Sequence, residues 1–518
     1  MNEWKREGGR SRTSLLLILA VAGLFITCGP DSDEQRPLNV LIVVLDTLRP
    51  DHLGLDGYER STSPHLDAFA EKAFVFRSAQ SAAPWTTPSL TSLLTSLYPD
   101  VHGVRTYPDP GRLAEGVTTL AEVLSDAGYE TAAFTEGFYA AAAFGMDQGF
   151  DSFSGAPEKL VGEKGRHKLL GQNVDRFLSW LKAPRERPFF ALFHTYETHY
   201  PYHAPDASIQ RFRPSYDGEA EHAQLHALVE RWNKERLLTE DEFRMAFRHE
   251  WHCGDEILAM MEDLEGAEEL VRQLGLEDER GQGAELEPFL KDLYDACVHF
   301  TDAQLQRVWA ALEAGDLADE TLVVVVSDHG EALGEHGLLG QHGLTLHEEL
   351  LRILLLLRIP GERFEPRDIP QLVQSIDVMP TVLDLLDLKG ASDAPPMQGQ
   401  SLVPLLEGAW EERAAFGHAP VTDTVDSREH SLRTDRWKLI VGTRDDQVQL
   451  FDLELDPGET MDMAAEQPDV VATLRAQLDA QRSRDEALRR ELGIEVGASG
   501  LGPEQLGALR ALGYVGER

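Results

Sequence analysis

Three apolar runs constrain this chain more than any other feature. They are Leu38-Asn39-Val40-Leu41-Ile42-Val43-Val44-Leu45, Pro188-Phe189-Phe190-Ala191-Leu192-Phe193 and Thr321-Leu322-Val323-Val324-Val325-Val326. They are continuous rather than alternating, so each strand needs cover on both faces, as in a parallel sheet flanked by helices. Each run ends in residues capable of chemistry. Asp46 follows the first; His194, then Glu197-Thr198-His199, follow the second; Ser327-Asp328-His329-Gly330 follow the third. Open α/β sheets hold their ligands at the carboxyl ends of strands. Helical patterns separate the runs, one opening at Ser63-Pro64 with Ser63 as its cap, another at Thr118-Thr119. Gly128 to Phe134 reads as a turn and a strand. The alternation predicts an α/β fold with a mostly parallel sheet.

The chain has 518 residues, room for one large domain and a smaller one. Its net charge of −41 argues against nucleic-acid partners and repels anionic substrates at long range, so an anion site needs local cations or a metal. Lys5, Arg6, Arg10 and Arg12 precede an apolar run from Leu15 to Ile26, followed by Thr27-Cys28-Gly29. That run is short for a membrane span and has the shape of a signal peptide. The Cys placed directly after it is similar to a bacterial lipoprotein signal. The expectation is export to the periplasm or outer surface with membrane anchoring through Cys28, simple cleavage being the alternative. Asp31-Ser32-Asp33-Glu34-Gln35 reads as a tether. In an exported chain Cys253 and Cys297 form a disulfide or stay unpaired; the spacing does not choose.

The expected organisation is a leader and tether over 1–37, a catalytic domain over 38–410 and a C-terminal subdomain over 411–518. Residues 206–290 are acidic and helical in period, and read as a helical insertion with either a solvated surface or a substrate-recognition role. Arg433 to Ile440 and Gln447 to Leu453 alternate like antiparallel strands, Asp456-Pro457-Gly458-Glu459 is a turn, and an amphipathic helix runs from Val470 to about Leu492.

Between the strand ends lies Ala83-Pro84-Trp85-Thr86-Thr87-Pro88-Ser89-Leu90, a short loop opening a helix, with a hydroxyl where a nucleophile would sit. Asp328-His329 is an oxygen/nitrogen ligand pair on one strand end. The ordered series Asp46, Pro84-Trp85-Thr86-Thr87-Pro88-Ser89, His199, Asp328-His329, Gly334-Glu335-His336-Gly337 and His342-Gly343 resembles the sulfatase branch of the alkaline-phosphatase-like superfamily, from about Asn39 to Ile440 and beyond. The resemblance implies an α/β/α sandwich with a small C-terminal antiparallel sheet and helix. It also implies an ester hydrolase acting on a small-molecule, glycan or lipid ester. Asp46, Thr86, Asp328 and His329 match metal ligands, Thr86 also matching the nucleophile. His199 and His342 match residues at the anionic head or leaving group, and His336 is expected to be structural.

Three departures qualify the resemblance. Sulfatases oxidise Cys or Ser to formylglycine, an aldehyde that Thr86 cannot yield because Cβ carries a methyl. The Arg that supports formylglycine is Leu90 here, and Thr47 replaces one Asp of the usual pair. The remaining set resembles the site of Thr-dependent phosphotransferases and phosphodiesterases of the superfamily, such as lipoteichoic acid synthases and phosphoethanolamine transferases. His329 favours zinc or manganese, whereas a sulfatase-like site takes calcium. Asp302, His194 and His342 are candidates for a second metal. A catalytically inactive binding relative is the remaining alternative.

Overall fold

In a computed structural model of the protein, the described residues run from 37 to 495, together with Gly497. The exceptions are 108–109, 156–168, most of 219–285, 344, 389–394, 423–428 and 443–446. The expected leader, Cys28, Cys253 and most of the 206–290 insertion fall outside them.

The three apolar runs form the centre of a nine-stranded sheet. Its strands include β1 (Asn39–Leu45), β2 (Phe74–Gln80), β3 (Glu130–Phe134), β4 (Ser152–Ser154), β5 (Phe189–Thr195), β6 (Thr321–Ser327), β7 (Leu355–Arg358) and β8 (Asp368–Gln374). The spatial order is β8-β2-β7-β6-β1-β5-β3-β4, with β7 antiparallel to both neighbours and the other pairs parallel. A short strand, Arg352–Ile353, pairs with β2 just ahead of β7.

Strand periodicity explains the two cores. Val40, Ile42 and Val44 point to one face with Leu192, Val324 and Val326. They meet Leu90, Leu93 and Leu94 of α1 (Thr86–Thr95). Leu41, Val43 and Leu45 point to the other, against Leu290, Leu293 and Tyr294 of α2 (Leu286–Ala314). Each fully buried Leu contributes about 1.5–3 kcal/mol. Both faces of β1 are therefore closed by helices, which is why its run is continuous.

Four antiparallel strands, β9 (Ala415–His418), β10 (Glu429–Arg433), β11 (Trp437–Gly442) and β12 (Val448–Asp452), form a second sheet. Leu432, Leu439 and Leu450 pack there with Leu474 and Leu478 of α3 (Pro468–Leu492). The single alternating segment expected from Arg433 to Ile440 is a hairpin instead. Thr434 and Trp437 close a turn through Thr434 N to the Trp437 carbonyl at 2.8 Å, so the polar Thr434-Asp435-Arg436 triplet is its loop.

Two further readings need correction. Ser63 occupies the cap position of helix Pro64–Ala70, but its side chain caps nothing. The freed amides of His65 and Leu66 are taken by Asp302, from α2, at 3.1 and 2.7 Å. Asp302 is thus a helix cap supplied from a distant element, which accounts for its carboxylate without a second metal. Cys297 is a free, buried thiol. No helix among the described residues is long and apolar enough to cross a membrane.

Candidate active site

Strands β5, β1 and β6 lie side by side, so their carboxyl ends converge. His194 stands opposite Val44 in β5, Asp46 follows β1, and Asp328-His329 follow β6. Thr86 is the first residue of α1 and lies 3.4 Å, through Oγ1, from both Asp46 Oδ2 and His329 Nε2. Ser89 one turn on donates to the Asp328 carbonyl at 2.6 Å, tying α1 to the end of β6. The sequence-predicted set Asp46, Thr86, Asp328 and His329 is therefore brought together, and all four are buried.

The donor atoms face one another. His329 Nε2 lies 3.5 Å from Asp328 Oδ2 and 3.8 Å from Asp46 Oδ1. His329 Nδ1 sits 2.8 Å from the Gly330 carbonyl; donating its proton there leaves the Nε2 lone pair facing the carboxylates. Asp328 Oδ1 accepts from the amides of Thr47 and His329, at 3.2 and 2.8 Å. By contrast, Asp46 Oδ1 and Asp328 Oδ2 are buried without a hydrogen bond. Buried polar atoms are ordinarily satisfied, so these two orphaned oxygens beside an imidazole fit a cation.

The electrostatics agree. Burial pushes the Asp46 carboxyl up to about 8. Burial, and then the charge of Asp46, push Asp328 well above the carboxylate range. Burial and His342 hold His329 well below the usual imidazole value. No Lys or Arg side chain among the described residues pairs with either carboxylate, so a bound cation is the natural counter-charge.

His194 joins the cluster, its ligand atom within 4.8 Å of those of Asp46 and Asp328, so it is a candidate ligand as well as an orienting group. Its Nδ1 lies 3.4 Å from the Glu136 amide and its Nε2 3.1 Å from Asp46 Oδ2. With Nδ1 accepting, Nε2–H donates to Asp46 and fixes that carboxylate. Thr47, in place of the second Asp, turns its hydroxyl to the Thr198 carbonyl at 2.7 Å and supplies no ligand to the centre. It adopts a left-handed backbone, φ 55°, uncommon for a β-branched residue.

His199 and His342 also reach the site. Their ring centroids are 4.6 Å apart, and His342 is 4.7 Å from His329. His199 is engaged through both nitrogens, Nε2 with the Tyr196 hydroxyl at 2.7 Å and Nδ1 with the Tyr200 carbonyl. His342 is held only through Nδ1, 2.9 Å from Glu331 Oε1. Burial opposes its charged form, but Glu331, with Asp46 and Asp328, raises His342 above the ordinary imidazole value. The Glu331 role was not read from sequence, although Glu331 sits two residues beyond His329. Glu136, which burial raises to about 7, carried no sequence signal at all. His336 pairs with Glu349 at 2.8 Å.

A mostly parallel sheet with a hydroxyl, carboxylates and imidazole at its carboxyl edge is the arrangement expected from the resemblance to alkaline-phosphatase-like enzymes. The Sulfatase family model matches residues 38–388, and a model for the C-terminal region of N-sulphoglucosamine sulphohydrolase matches 334–484. Arylsulfatase K of Mus musculus is 23% identical over 495 residues, covering 90% of this chain and 84% of that protein. N-acetylglucosamine-6-O-sulfatase of Bacteroides thetaiotaomicron is 23% identical, covering 86% of each. The fold is shared with a protein solved with its substrate D-glucosamine-2-N,6-O-disulfate (TM-score 0.67, 20% identity, 87% of this chain and 99% of that one). It is shared too with phosphonate monoester hydrolase of Agrobacterium radiobacter (TM-score 0.65, 21% identity, 87% and 96%). The chain belongs to the sulfatase family and is an ester hydrolase of it, in a family that is metal-dependent.

Proposed function

We propose that this protein hydrolyses anionic esters with the Thr86 hydroxyl as nucleophile, and that phosphorus suits that nucleophile better than sulfur. The observation carrying this reading is the position of Thr86 Oγ1, equidistant at 3.4 Å from Asp46 Oδ2 and His329 Nε2. Asp46, Asp328, His329 and Thr86 would hold the divalent cation, and the nitrogen ligand favours zinc or manganese over calcium. When bound, the cation supplies positive charge that favours ionisation of the hydroxyl and offsets the ester anion.

The chain's own groups do the rest. Asp46 Oδ2 accepts the Thr86 proton, and Oγ1 forms a bond to phosphorus as the ester oxygen departs in line. His342 protonates that oxygen. It is better placed for this than His199, because Glu331 stabilises its charged form and only its Nδ1 is occupied. The N-terminus of α1 presents its dipole to the anionic group. Water then displaces Thr86 from phosphorus, releasing phosphate and restoring the hydroxyl.

The formylglycine route has no support in these residues. Leu90 is 1% exposed, packed among Val40, Ile42 and Leu93, and offers no charge at the place of the family's Arg. Sulfate esters are the second reading, favoured by the activities named for the curated relatives. A phospho-substrate of the cell envelope would suit a protein tethered outside the cytoplasm through Cys28, a placement that rests on the basic and apolar N-terminal residues alone; a lipid adduct on Cys28 by mass spectrometry tests it. The intact buried donor set argues against an inactive binding relative.

Metal-quantified protein assayed on aryl phosphate, aryl phosphodiester and aryl sulfate tests the reading, with rapid quench and peptide mass spectrometry to find phosphothreonine at position 86. Turnover that survives Thr86→Ala would refute the nucleophile. Aryl sulfate turned over faster than both phosphorus esters would reverse the substrate preference.

A further inference from the structure

The second sheet holds another set of ligating side chains, remote from Asp46 and Asp328. His418 ends β9 and His430 lies on β10, directly opposite in antiparallel register. Opposed residues project from the same face with Cβ atoms about 4.5–5.5 Å apart. The two imidazoles accordingly form a cross-strand pair, with ring centroids 5.1 Å apart and planes at 74°. Asp100, on the short helix Pro99–His102, meets them from a segment more than 300 residues earlier. Its Oδ2 lies 2.9 Å from His430 Nε2 and 3.5 Å from His418 Nδ1. Neighbouring ligands on a tetrahedral ion with bonds of about 2.0–2.1 Å sit about 3.3 Å apart, and the two separations bracket that spacing.

The arrangement leaves a need unmet by protein groups. His418 is 3% exposed, and neither of its ring nitrogens makes a hydrogen bond. A buried imidazole in that state costs free energy that a ligand would recover. Arg105 pairs with Asp100 Oδ1, so Oδ2 is the oxygen turned to the imidazoles.

We propose that Asp100 Oδ2, His418 Nδ1 and His430 Nε2 bind a structural divalent cation of the zinc type, with water in the fourth position. Two imidazoles and one carboxylate select zinc over calcium or magnesium. The ion staples the C-terminal sheet to the segment carrying the nucleophile. The His418 amide already donates to the Ala82 carbonyl at 3.0 Å, just ahead of Thr86. His102, on the helix of Asp100, reaches Ser92 of α1 at 3.0 Å. The proposal does not depend on the reading of Thr86.

The test uses the full chain, stripped with chelator and reloaded with zinc or cobalt(II), in an Asp328→Ala background that removes the active-site cation. That protein is expected to keep one zinc per chain, to show the visible absorption of tetrahedral cobalt, and to rise in thermal midpoint on zinc addition. Adding His430→Gln or His418→Asn should abolish all three, whereas His430→Gln alone should leave kcat on the active ester near the parent value. Failure to bind zinc in the Asp328→Ala protein, or equal binding after both histidines are replaced, overturns the proposal. Should the double variants not fold, zinc content of the His430→Gln single variant decides: one equivalent fewer than the parent supports the site, and an unchanged content overturns it. Failure of the active-site reading appears separately, as zinc lost from neither Asp328→Ala nor Thr86→Ala with turnover intact.

Discussion

Two buried charge clusters in this molecule follow opposite rules. Around Lys438, which is fully buried, the charges close on themselves. Lys438 Nζ lies 3.0 Å from both Glu348 and Glu459, and Arg433 lies 3.3 Å from Glu348. Burial opposes ionisation of Glu348, but Arg433 and Lys438 hold it down to about 2. At the carboxyl edge of β1 and β6, two buried carboxylates meet no Lys or Arg among the described residues, and each keeps one oxygen without a hydrogen bond there. Breaking a buried pair leaves an uncompensated charge and is costly. Two such carboxylates side by side fit a site for a cation. The contrast separates a cluster whose charges pair with one another from one that fits a cation.

The sharpest way to break that comparison is at Thr86. Thr86→Ala should lower kcat by roughly a thousandfold or more while the thermal midpoint stays near the parent value. Thr86→Ser should retain measurable turnover, both read in steady-state assays at saturating metal. Next in size, Lys438→Met should destabilise the protein by about 3–5 kcal/mol by stranding Glu459 and leaving Glu348 with Arg433 as its one cationic partner among the described residues. Denaturant unfolding measures this, and kcat of the folded fraction should be unchanged. A His194→Gln variant should weaken metal binding by roughly 10–100-fold, because Asp46 loses the donor that orients it; competition with a chelating dye reads that loss.

The smaller effects concern the metal-free protein. Asp328→Asn should raise its thermal midpoint at alkaline pH, where the parent carboxyl must ionise against burial and Asp46, whereas the same variant saturated with metal should gain less than the parent. In the same state Asp46 is raised to about 8 and Glu136 to about 7, both mainly by burial. Folded pKa values above the unfolded range, about 4, mean that the folded protein holds protons the unfolded chain releases. Their stabilisation is complete below about pH 4 and is lost as pH rises toward about 8. Calorimetry should therefore show the metal-free midpoint falling between about pH 5 and 8, and metal saturation flattening that slope. A flat profile without metal would show that the carboxylates are already compensated.

How much of this was legible in the chain follows from the range of each interaction. The uninterrupted apolar runs identify β1, β5 and β6, because a strand covered on both faces leaves no polar positions to disguise it. The candidate set Asp46, Asp328 and His329 was legible because each residue sits at such a strand's end. The Arg433–Lys438 hairpin was not, since its turn is only three polar residues long. Asp302 misled because a carboxylate that caps a helix from another element looks, in sequence, like any free ligand. Glu331 and Glu136 act through partners that only folding brings near, at His342 and His194.

The sequence alone determined the strand cores, the hydroxyl at Thr86 that excludes formylglycine, and the absence of a charge at Leu90. These are properties of single residues and short runs, fixed by side-chain chemistry and periodicity. Tertiary structure decided that β5, β1 and β6 are neighbours, that Thr86 Oγ1 falls between Asp46 and His329, and that His342 rather than His199 has a nitrogen to spare. Those depend on the packing of elements up to several hundred residues apart, and local preference carries no information about which strand end a distant side chain will meet.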